Sequence, residues 1–172
     1  KVAIGSTLFD IFSEIGLEMS HGPISCKVNN KVEGMHYRVY NSKDLEFLDM
    51  TSSSGSRAYT RTLFFVLCKA VKDIFPASPD VIIDIPVSNG FYVDVRLGKE
   101  LTEEVVGKLR NRMQEIIDAH MPIRRYMVPT EDAIALFQEK GDVEKVKLLK
   151  TSGSIYTTYY KIGDYVDYYY GT

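Results

Sequence analysis

The sequence predicts an α+β protein in two parts. Three observations support this class: short runs that alternate apolar and polar residues, longer runs with apolar residues at helical spacing, and a small polar segment, Thr51–Ser56, between two patterned regions. The chain has 172 residues, of which 45% are hydrophobic and 26% charged, and this composition is typical of a folded globular protein. We therefore expect a first domain over residues 1–50, a linker over 51–56 and a second domain over 57–172.

The first region predicts one helix and several short strands. Thr7 is expected to cap the helix and Gly16 to end it, while the pair Asn29–Asn30 forms a turn between two strands. Val2–Ile4 is predicted to be the end of a strand, and further strands are predicted at Ile24–Val28, around Val32 and at Leu45–Leu48. This order suggests a small mixed sheet with one helix across it.

The second region begins with a long helix that ends before Pro76. A hairpin follows, in which Gly90 is expected to supply the positive φ of the turn between Val81–Val87 and Phe91–Val95. The predicted buried stripe of the long helix comprises Tyr59, Leu63, Val66, Leu67, Ala70, Val71 and Ile74.

Three more helices and two more stretches of strand complete this region. Thr102 is expected to cap a helix whose buried stripe is formed by Val105, Leu109, Met113, Ile116 and Ile117. The other elements are a strand at Ile123–Val128, helices from Pro129–Thr130 to Gly141 and over Val143–Leu149, and an alternating strand region over 155–170.

Composition and charge exclude several classes of protein. The net charge of −2 provides no global positive field for nucleic acid, and Cys26 and Cys68 do not form the pattern of a disulfide framework. The longest apolar run, Leu63–Cys68, is too short to span a membrane, and no signal peptide is visible. We expect a reduced, cytoplasmic setting. Because the chain begins without Met, we also expect a fragment of a longer protein.

The common chemical motifs are missing from the sequence. Neither a G-x-x-x-x-G-K-[ST] loop nor a G-x-G-x-x-G turn is present, so this chain has no standard phosphate-binding loop. The three histidines, His21, His36 and His120, share no metal-ligand spacing with each other or with a cysteine. No metal or cofactor is expected in this chain.

Two clusters leave a choice between a structural and a functional interpretation. Arg57, Arg61, Phe65, Lys69 and Lys72 share one stripe of the long helix, which is either a solvated basic face or a surface for a partner or an anion. Seven of the twelve tyrosines lie in the last 17 residues, where they form either an aromatic-rich sheet or a stacking platform for a nucleoside or RNA base.

Several stretches resemble two consecutive domains of threonyl-tRNA synthetases. Residues 5–11, 26–30 and 44–48 resemble a TGS domain, the β-grasp module at the start of those enzymes. Residues 70–76, 85–95, 121–125 and 164–167 resemble the second additional, or editing, domain that follows it there. The resemblance covers nearly the whole chain and implies a β-grasp domain followed by an α+β editing-type module, truncated at its C-terminus.

The departures from that family bear directly on activity. Editing domains of this family carry an H-x-x-x-H pair on the first helix and a C-x-x-x-H pair near the end, which hold zinc or position a water to hydrolyse a mischarged ester. The matching helix positions in this chain are Phe65 and Lys69, and the cysteine position is Tyr169. Because phenylalanine has no lone pair and an ammonium repels a metal ion, the resemblance implies that editing is lost.

A TGS domain with a degenerate editing-type domain is similar to the amino-terminal region of bacterial uridine-kinase-like proteins. In those, a P-loop domain of the phosphoribulokinase/uridine kinase family follows, and it uses ATP and Mg²⁺. The resemblance implies a non-catalytic accessory module of such a nucleoside kinase. The alternative is an editing or tRNA-binding module of a threonyl-tRNA synthetase-like protein.

The resemblance also places Phe65, Lys69 and Tyr169 around one cleft, with Asn89 to Tyr92 on the neighbouring hairpin. Phe65 favours a cleft filled by packing, whereas a buried Lys69 needs an anion, a carboxylate or solvent. We expect a small pocket in which Lys69 and Tyr169 meet a phosphate or carboxylate of a nucleotide, RNA or partner chain. The candidate binding residues are Arg57, Arg61, Lys69, Asn89, Tyr92 and Tyr169.

Overall fold

The strands and helices of this chain form small antiparallel sheets with helices packed against them, which confirms the α+β class. The computed structural model describes residues 1–78, 81–88, 90–98 and 100–168, with position 84 described by its backbone only. Contacts between Cα atoms divide the chain into two units, residues 1–64 and 65–172.

The first unit contains six short elements and the beginning of a long helix. In chain order they are β1 (Ser6–Thr7), α1 (Leu8–Ile15), β2 (Ser25–Val28), β3 (Lys31–Gly34), β4 (Arg38–Val39), β5 (Leu45–Leu48) and residues 53–64 of α2 (Ser53–Ile74). Strand β1 pairs with β4, and β2 lies between β3 and β5. The buried core of this unit consists of Leu8, Ile11, Cys26, Val28 and Val39.

Local sequence signals explain the shape of the first unit. The Thr7 hydroxyl accepts a hydrogen bond from the Asp10 backbone N–H at 3.1 Å, and the Asp10 carboxylate accepts one from the Thr7 N–H, which together form a capping box. Gly16 ends α1 with a φ of 62°, as predicted. Asn29 and Asn30 both have positive φ, as a two-residue type I′ turn between β2 and β3 requires.

Two predictions for this unit are wrong. Val2–Ile4 is not a strand, because Ser6 donates both its N–H and its hydroxyl to the Ala3 carbonyl and so turns the chain there. The strands form two antiparallel sheets instead of one mixed sheet, because the tight Asn29–Asn30 turn leaves β2 and β3 antiparallel.

The second unit is larger and contains most of the regular structure. It comprises residues 65–74 of α2, then β6 (Ile82–Val87), β7 (Gly90–Asp94), α3 (Glu103–Asp118), β8 (Ile123–Pro129), α4 (Thr130–Glu139), α5 (Val143–Thr151), β9 (Tyr156–Ile162) and β10 (Tyr165–Asp167). Strands β6 and β7 form a hairpin, and β9 lies between β8 and β10 in an antiparallel sheet. Among the described residues, β8 pairs with β9 on one side only.

The three-stranded sheet is covered by helices on both faces. Ile162 of β9 packs with Phe65 of α2 and Ile116 of α3, whereas Val166 of β10 packs with Phe137 of α4 and Leu149 of α5. Successive residues of a strand point to opposite faces, so the alternation of β9 and β10 supplies both cores. The face with α2 and α3 contains the candidate site.

Four expectations for α2 and the hairpin need correction. Residues 53–56 of the predicted linker are the first turn of α2, because the Ser52 hydroxyl caps that turn by accepting a hydrogen bond from the Gly55 N–H at 3.0 Å. Tyr59 and Leu63 are exposed, since the buried face of α2 begins at Phe65. In the hairpin the positive φ is at Ser88, not at Gly90, which already belongs to β7. The domain boundaries themselves remain a prediction.

The stripe of α3 is narrower than predicted. Thr102 caps this helix as expected, by accepting a hydrogen bond from the Val105 N–H. Val105, Leu109 and Ile116 are buried, but Ile117 is exposed because it lies one residue, or about 100° of helix rotation, beyond Ile116.

Two glycines in helices are expected to respond to alanine with opposite signs. A Cβ at Gly55 would overlap the backbone carbonyl of Asp49, so Gly55→Ala should reduce the free energy of unfolding by about 1–3 kcal/mol. A Cβ at Gly107, inside α3, meets nothing within 4 Å, so Gly107→Ala should raise it by about 0.5–1 kcal/mol. Urea unfolding followed by circular dichroism measures both changes. Changes in the free energy of unfolding that have the same sign in the two variants would contradict this prediction.

Candidate functional site

The candidate site is centred on two positions of α2, Phe65 and Lys69, which lie one helical turn apart and face the sheet. Tyr169 and Asn89, which the sequence analysis places beside them, lie outside the described residues. The geometry is therefore built from Phe65, Lys69 and the described residues that touch them.

Phe65 is part of the core. Its side chain is 2% exposed and packs against Ile116 and Ile162. Its ring centroid lies 5.3 Å from that of Tyr165 and 6.4 Å from that of Tyr160, both within the range of favourable aromatic pairs. Tyrosines of β9 and β10 thus fill the space beside a position where the resemblance expects a histidine.

Lys69 is buried but fully paired. Its side chain is 6% exposed, and Nζ donates to a carboxylate oxygen of Asp73 at 2.5 Å and to one of Asp164 at 2.7 Å. Asp164 comes from the turn between β9 and β10, whose other residue is Gly163 with a φ of +57°. Glycine suits this turn because a positive φ is strained for other residues and because a Cβ at Gly163 would lie 2.9 Å from Met121 Cε.

The pairing continues through Asp73 to α3. The second oxygen of Asp73 accepts hydrogen bonds from Arg112 Nε at 2.9 Å and Nη2 at 2.8 Å, and Arg112 Nη1 donates to Glu115 at 2.7 Å. The charges of Asp164, Lys69, Asp73, Arg112 and Glu115 alternate in sign along this path. We call these five residues the ion chain.

Hydrogen bonds in the ion chain shift the pKa values of Lys69 and Asp164. Burial on its own would lower the pKa of Lys69, but the hydrogen bonds to Asp164 and Asp73 outweigh burial and hold that pKa above its ordinary value. The hydrogen bond from Lys69 lowers the pKa of Asp164. At neutral pH the site therefore contains a charged Lys69 ammonium bound to an ionised Asp164 carboxylate.

A second polar cluster joins α5 to β10, and sequence reasoning missed it. Lys145 Nζ lies 2.7 Å from an oxygen of Asp142 and 2.9 Å from one of Asp167, and 5.7 Å from the centroid of the Phe137 ring. The Tyr165 hydroxyl donates to the other oxygen of Asp167 at 2.7 Å. Asp142 also caps α5. An aspartate at a predicted cap, followed three residues later by a lysine, was the signal available in the sequence.

The remaining candidate residues are distributed over both units. Arg57 and Arg61 are exposed on the part of α2 that belongs to the first unit. Tyr92 is 59% exposed on β7, in the second unit. The buried and paired state of Lys69 differs from the expectation that it meets a ligand anion, because the chain's own carboxylates already compensate its charge.

The described tyrosines of the C-terminal region belong mostly to the sheet. Tyr159 and Tyr168 contribute to the core with α4 and α5, and Tyr160 and Tyr165 to the core with α2 and α3. Tyr159 also stacks on Tyr126 across the β8–β9 pair, with centroids 5.3 Å apart. These contacts favour the aromatic-rich sheet over a stacking platform for the described part of the cluster.

Within the described ranges, no group of three or more histidine, cysteine, aspartate or glutamate side chains is arranged to hold a metal ion. The helices in the same ranges include none that is long and apolar enough to cross a lipid bilayer.

Comparison with known proteins finds relatives among threonine–tRNA ligases. The chain is 29% identical over 97% of its length to a threonine–tRNA ligase of Clostridium kluyveri, and 31% identical over 92% to one of Syntrophotalea carbinolica. It is 29% identical over 95% to one of Acetivibrio thermocellus. The chain spans about a quarter of the length of these relatives (26%, 25% and 26%). No family model matches it. The chain is thus similar to one part of threonine–tRNA ligases.

Asp164→Asn tests the exposed end of the ion chain. Because the folded-state pKa of Asp164 lies below its ordinary value, its carboxylate stabilises the fold above about pH 4 and loses that contribution as the pH falls further. The Asp164 side chain is 90% exposed, so we expect a loss of only about 0.5–1 kcal/mol at pH 7, shrinking toward pH 3. Urea unfolding between pH 3 and 7 measures it. Glu139→Gln removes an exposed carboxylate that does not belong to the ion chain, and it should show no such loss of stability.

Asp73→Asn tests the middle of the ion chain and should cost more, about 2–3 kcal/mol, because buried Lys69 then keeps only an exposed partner. Adding Lys69→Met removes the poorly compensated ammonium, so the double variant should be more stable than the sum of the two single losses predicts. Strict additivity in a double-mutant cycle of unfolding free energies would show that Asp73 and Lys69 do not act as a pair.

Proposed function

We propose that this chain is a threonyl-tRNA synthetase-like module that binds tRNA and does not hydrolyse the aminoacyl ester. The similarity over nearly the whole chain to threonine–tRNA ligases, whose name states tRNA as a substrate, supports the RNA partner. The core position of Phe65 carries the second half of the proposal, because a phenyl ring packed against two tyrosines leaves neither a ligand nor a base where hydrolysis needs one.

The chemistry of ester hydrolysis supports the non-catalytic interpretation. Attack of water on an ester at neutral pH is accelerated when a base removes a proton from the water or a metal ion lowers the pKa of the water. Lys69 is held protonated by two carboxylates, and the pKa of Asp164 is lowered by its hydrogen bond from Lys69, so it is a weak base. The ion chain thus stabilises the fold without supplying a group that could activate water.

We propose two separate RNA contacts, one in each unit. Arg57 and Arg61 lie one turn apart on α2 in the first unit and can contact successive phosphates. Tyr92 on β7 in the second unit offers a ring on which a base can stack. The net charge of −2 makes these local contacts, without long-range attraction of RNA. We propose a cytoplasmic setting for this function.

A second candidate is the accessory module of a uridine-kinase-like protein. The loss of both histidine positions at Phe65 and Lys69 favours it, because a synthetase that edits needs a hydrolytic site. In that case a P-loop kinase domain follows in the same protein and brings ATP and Mg²⁺ with it. The named relatives favour the synthetase-like parent. A G-x-x-x-x-G-K-[ST] motif after a strand downstream of this chain would decide for the kinase.

Filter binding and deacylation test the first proposal together. We expect saturable binding of tRNA specific for threonine, weakened roughly threefold to tenfold by Arg57→Glu or Arg61→Glu with a smaller salt dependence. Arg110→Glu makes the same charge change on α3 and should leave the affinity unchanged. We also expect no release of threonine or serine from charged tRNA above the uncatalysed rate, and no stoichiometric zinc in the purified protein.

Two results would overturn this proposal. Absence of saturable tRNA binding would remove the RNA-binding half. Ester hydrolysis that depends on the chain and disappears in Lys69→Met would show that the site is catalytic after all.

A further inference from the structure

We propose a second binding site, for a small organic acid with an apolar body, at the C-terminal end of α2. A cavity of about 330 Å³ lies there between residues 75–78, which follow the helix, and residues 96–98, which follow β7. Its size falls at the lower end of the range of small-molecule sites, about 300–1,000 Å³. Both segments belong to the second unit.

The two walls of the cavity are fixed by the backbone. Phe75 donates its N–H to the Val71 carbonyl at 2.8 Å, and Ser78 donates its N–H to the Phe75 carbonyl at 2.9 Å, so the chain turns directly after α2. Lys72 Nζ donates to the Ser78 carbonyl at 2.7 Å and ties the end of that turn back to the helix. On the other wall, the Leu97 N–H donates to the Val95 carbonyl at 3.0 Å. The cavity is thus formed by the fold before any ligand arrives.

The base of the cavity is apolar. Phe75 and Leu97 line it and also pack, partly buried, against the cluster of Val71, Val105 and Leu109. The core therefore holds one side of each wall residue, and the other side is available to an apolar ligand body. Covering such surface contributes about 25 cal/mol per Å² of apolar area removed from water.

One polar side chain of the lining defines the rest of the ligand. Arg96 donates from Nε to Asp94 at 2.8 Å, which orients the guanidinium and leaves its two terminal nitrogens for another acceptor. A planar carboxylate matches that pair of donors.

This site is separate from the proposed tRNA function. None of Phe65, Lys69, Arg57 or Arg61 lines the cavity. A failure of tRNA binding therefore leaves this inference intact, and a failure here leaves the tRNA proposal intact.

A nuclear magnetic resonance titration of the ¹⁵N-labelled chain tests the proposal with three probes. Benzoate has both the apolar body and the carboxylate, benzamide keeps the body without the charge, and acetate keeps the charge without the body. We expect benzoate to cause saturable shifts centred on the backbone amides of residues 75–78 and 96–98, and each of the other probes to bind about tenfold more weakly or worse.

Matched variants decide whether Arg96 recognises the acid. Arg96→Gln should weaken benzoate binding about tenfold, with thermal unfolding used to confirm that the variant folds. Arg124→Gln removes an exposed arginine of β8 and should leave the affinity for benzoate unchanged. Shifts that do not saturate, shifts spread over other basic surfaces, or an affinity unchanged in Arg96→Gln would overturn the proposal.

Discussion

The buried ammonium of Lys69 is the constraint on which the second unit depends. A charge at that depth is tolerated only if opposite charges reach it, and here they come from two directions, one turn along α2 and from the β9–β10 turn. Gly163 provides the positive φ of that turn and leaves room for Met121 beside it. Lys69 thereby holds the β9–β10 turn against α2 and, through Asp73 and Arg112, links α2 to α3.

The same arrangement explains how Phe65 and Lys69 can both be buried one turn apart. An aromatic side chain packs at one position and a lysine neutralised by two carboxylates occupies the other, so the interior is packed and its charges are balanced. Neither a phenyl ring nor an ammonium offers a lone pair. The function proposed above, tRNA binding without hydrolysis, depends on this pair of side chains.

Signals carried by residues close together in the sequence predicted their parts of the fold. Pairings between residues far apart in the sequence were not predicted. The Thr7 cap, the Gly16 stop and the Asn29–Asn30 turn each depend on residues within a few positions. Asp73 stands four residues after Lys69 and was visible in principle, but Asp164 is 95 residues away and only the folded chain joins the two. Similarly, the exposure of Tyr59 depends on where the packed face of α2 begins, which helical spacing does not reveal.

Strand β8 lies at one edge of its sheet among the described residues, and this has a consequence for behaviour in concentrated solution. An unpaired edge offers backbone groups to the strand of another molecule and so invites aggregation. Near its start β8 carries Arg124 and Arg125, and Arg124 stands directly opposite Lys161. Pro129 at the strand's other end has no N–H to donate. Two copies approaching edge to edge would bring like charges together, so β8 resists the intermolecular β-pairing that its position would otherwise permit.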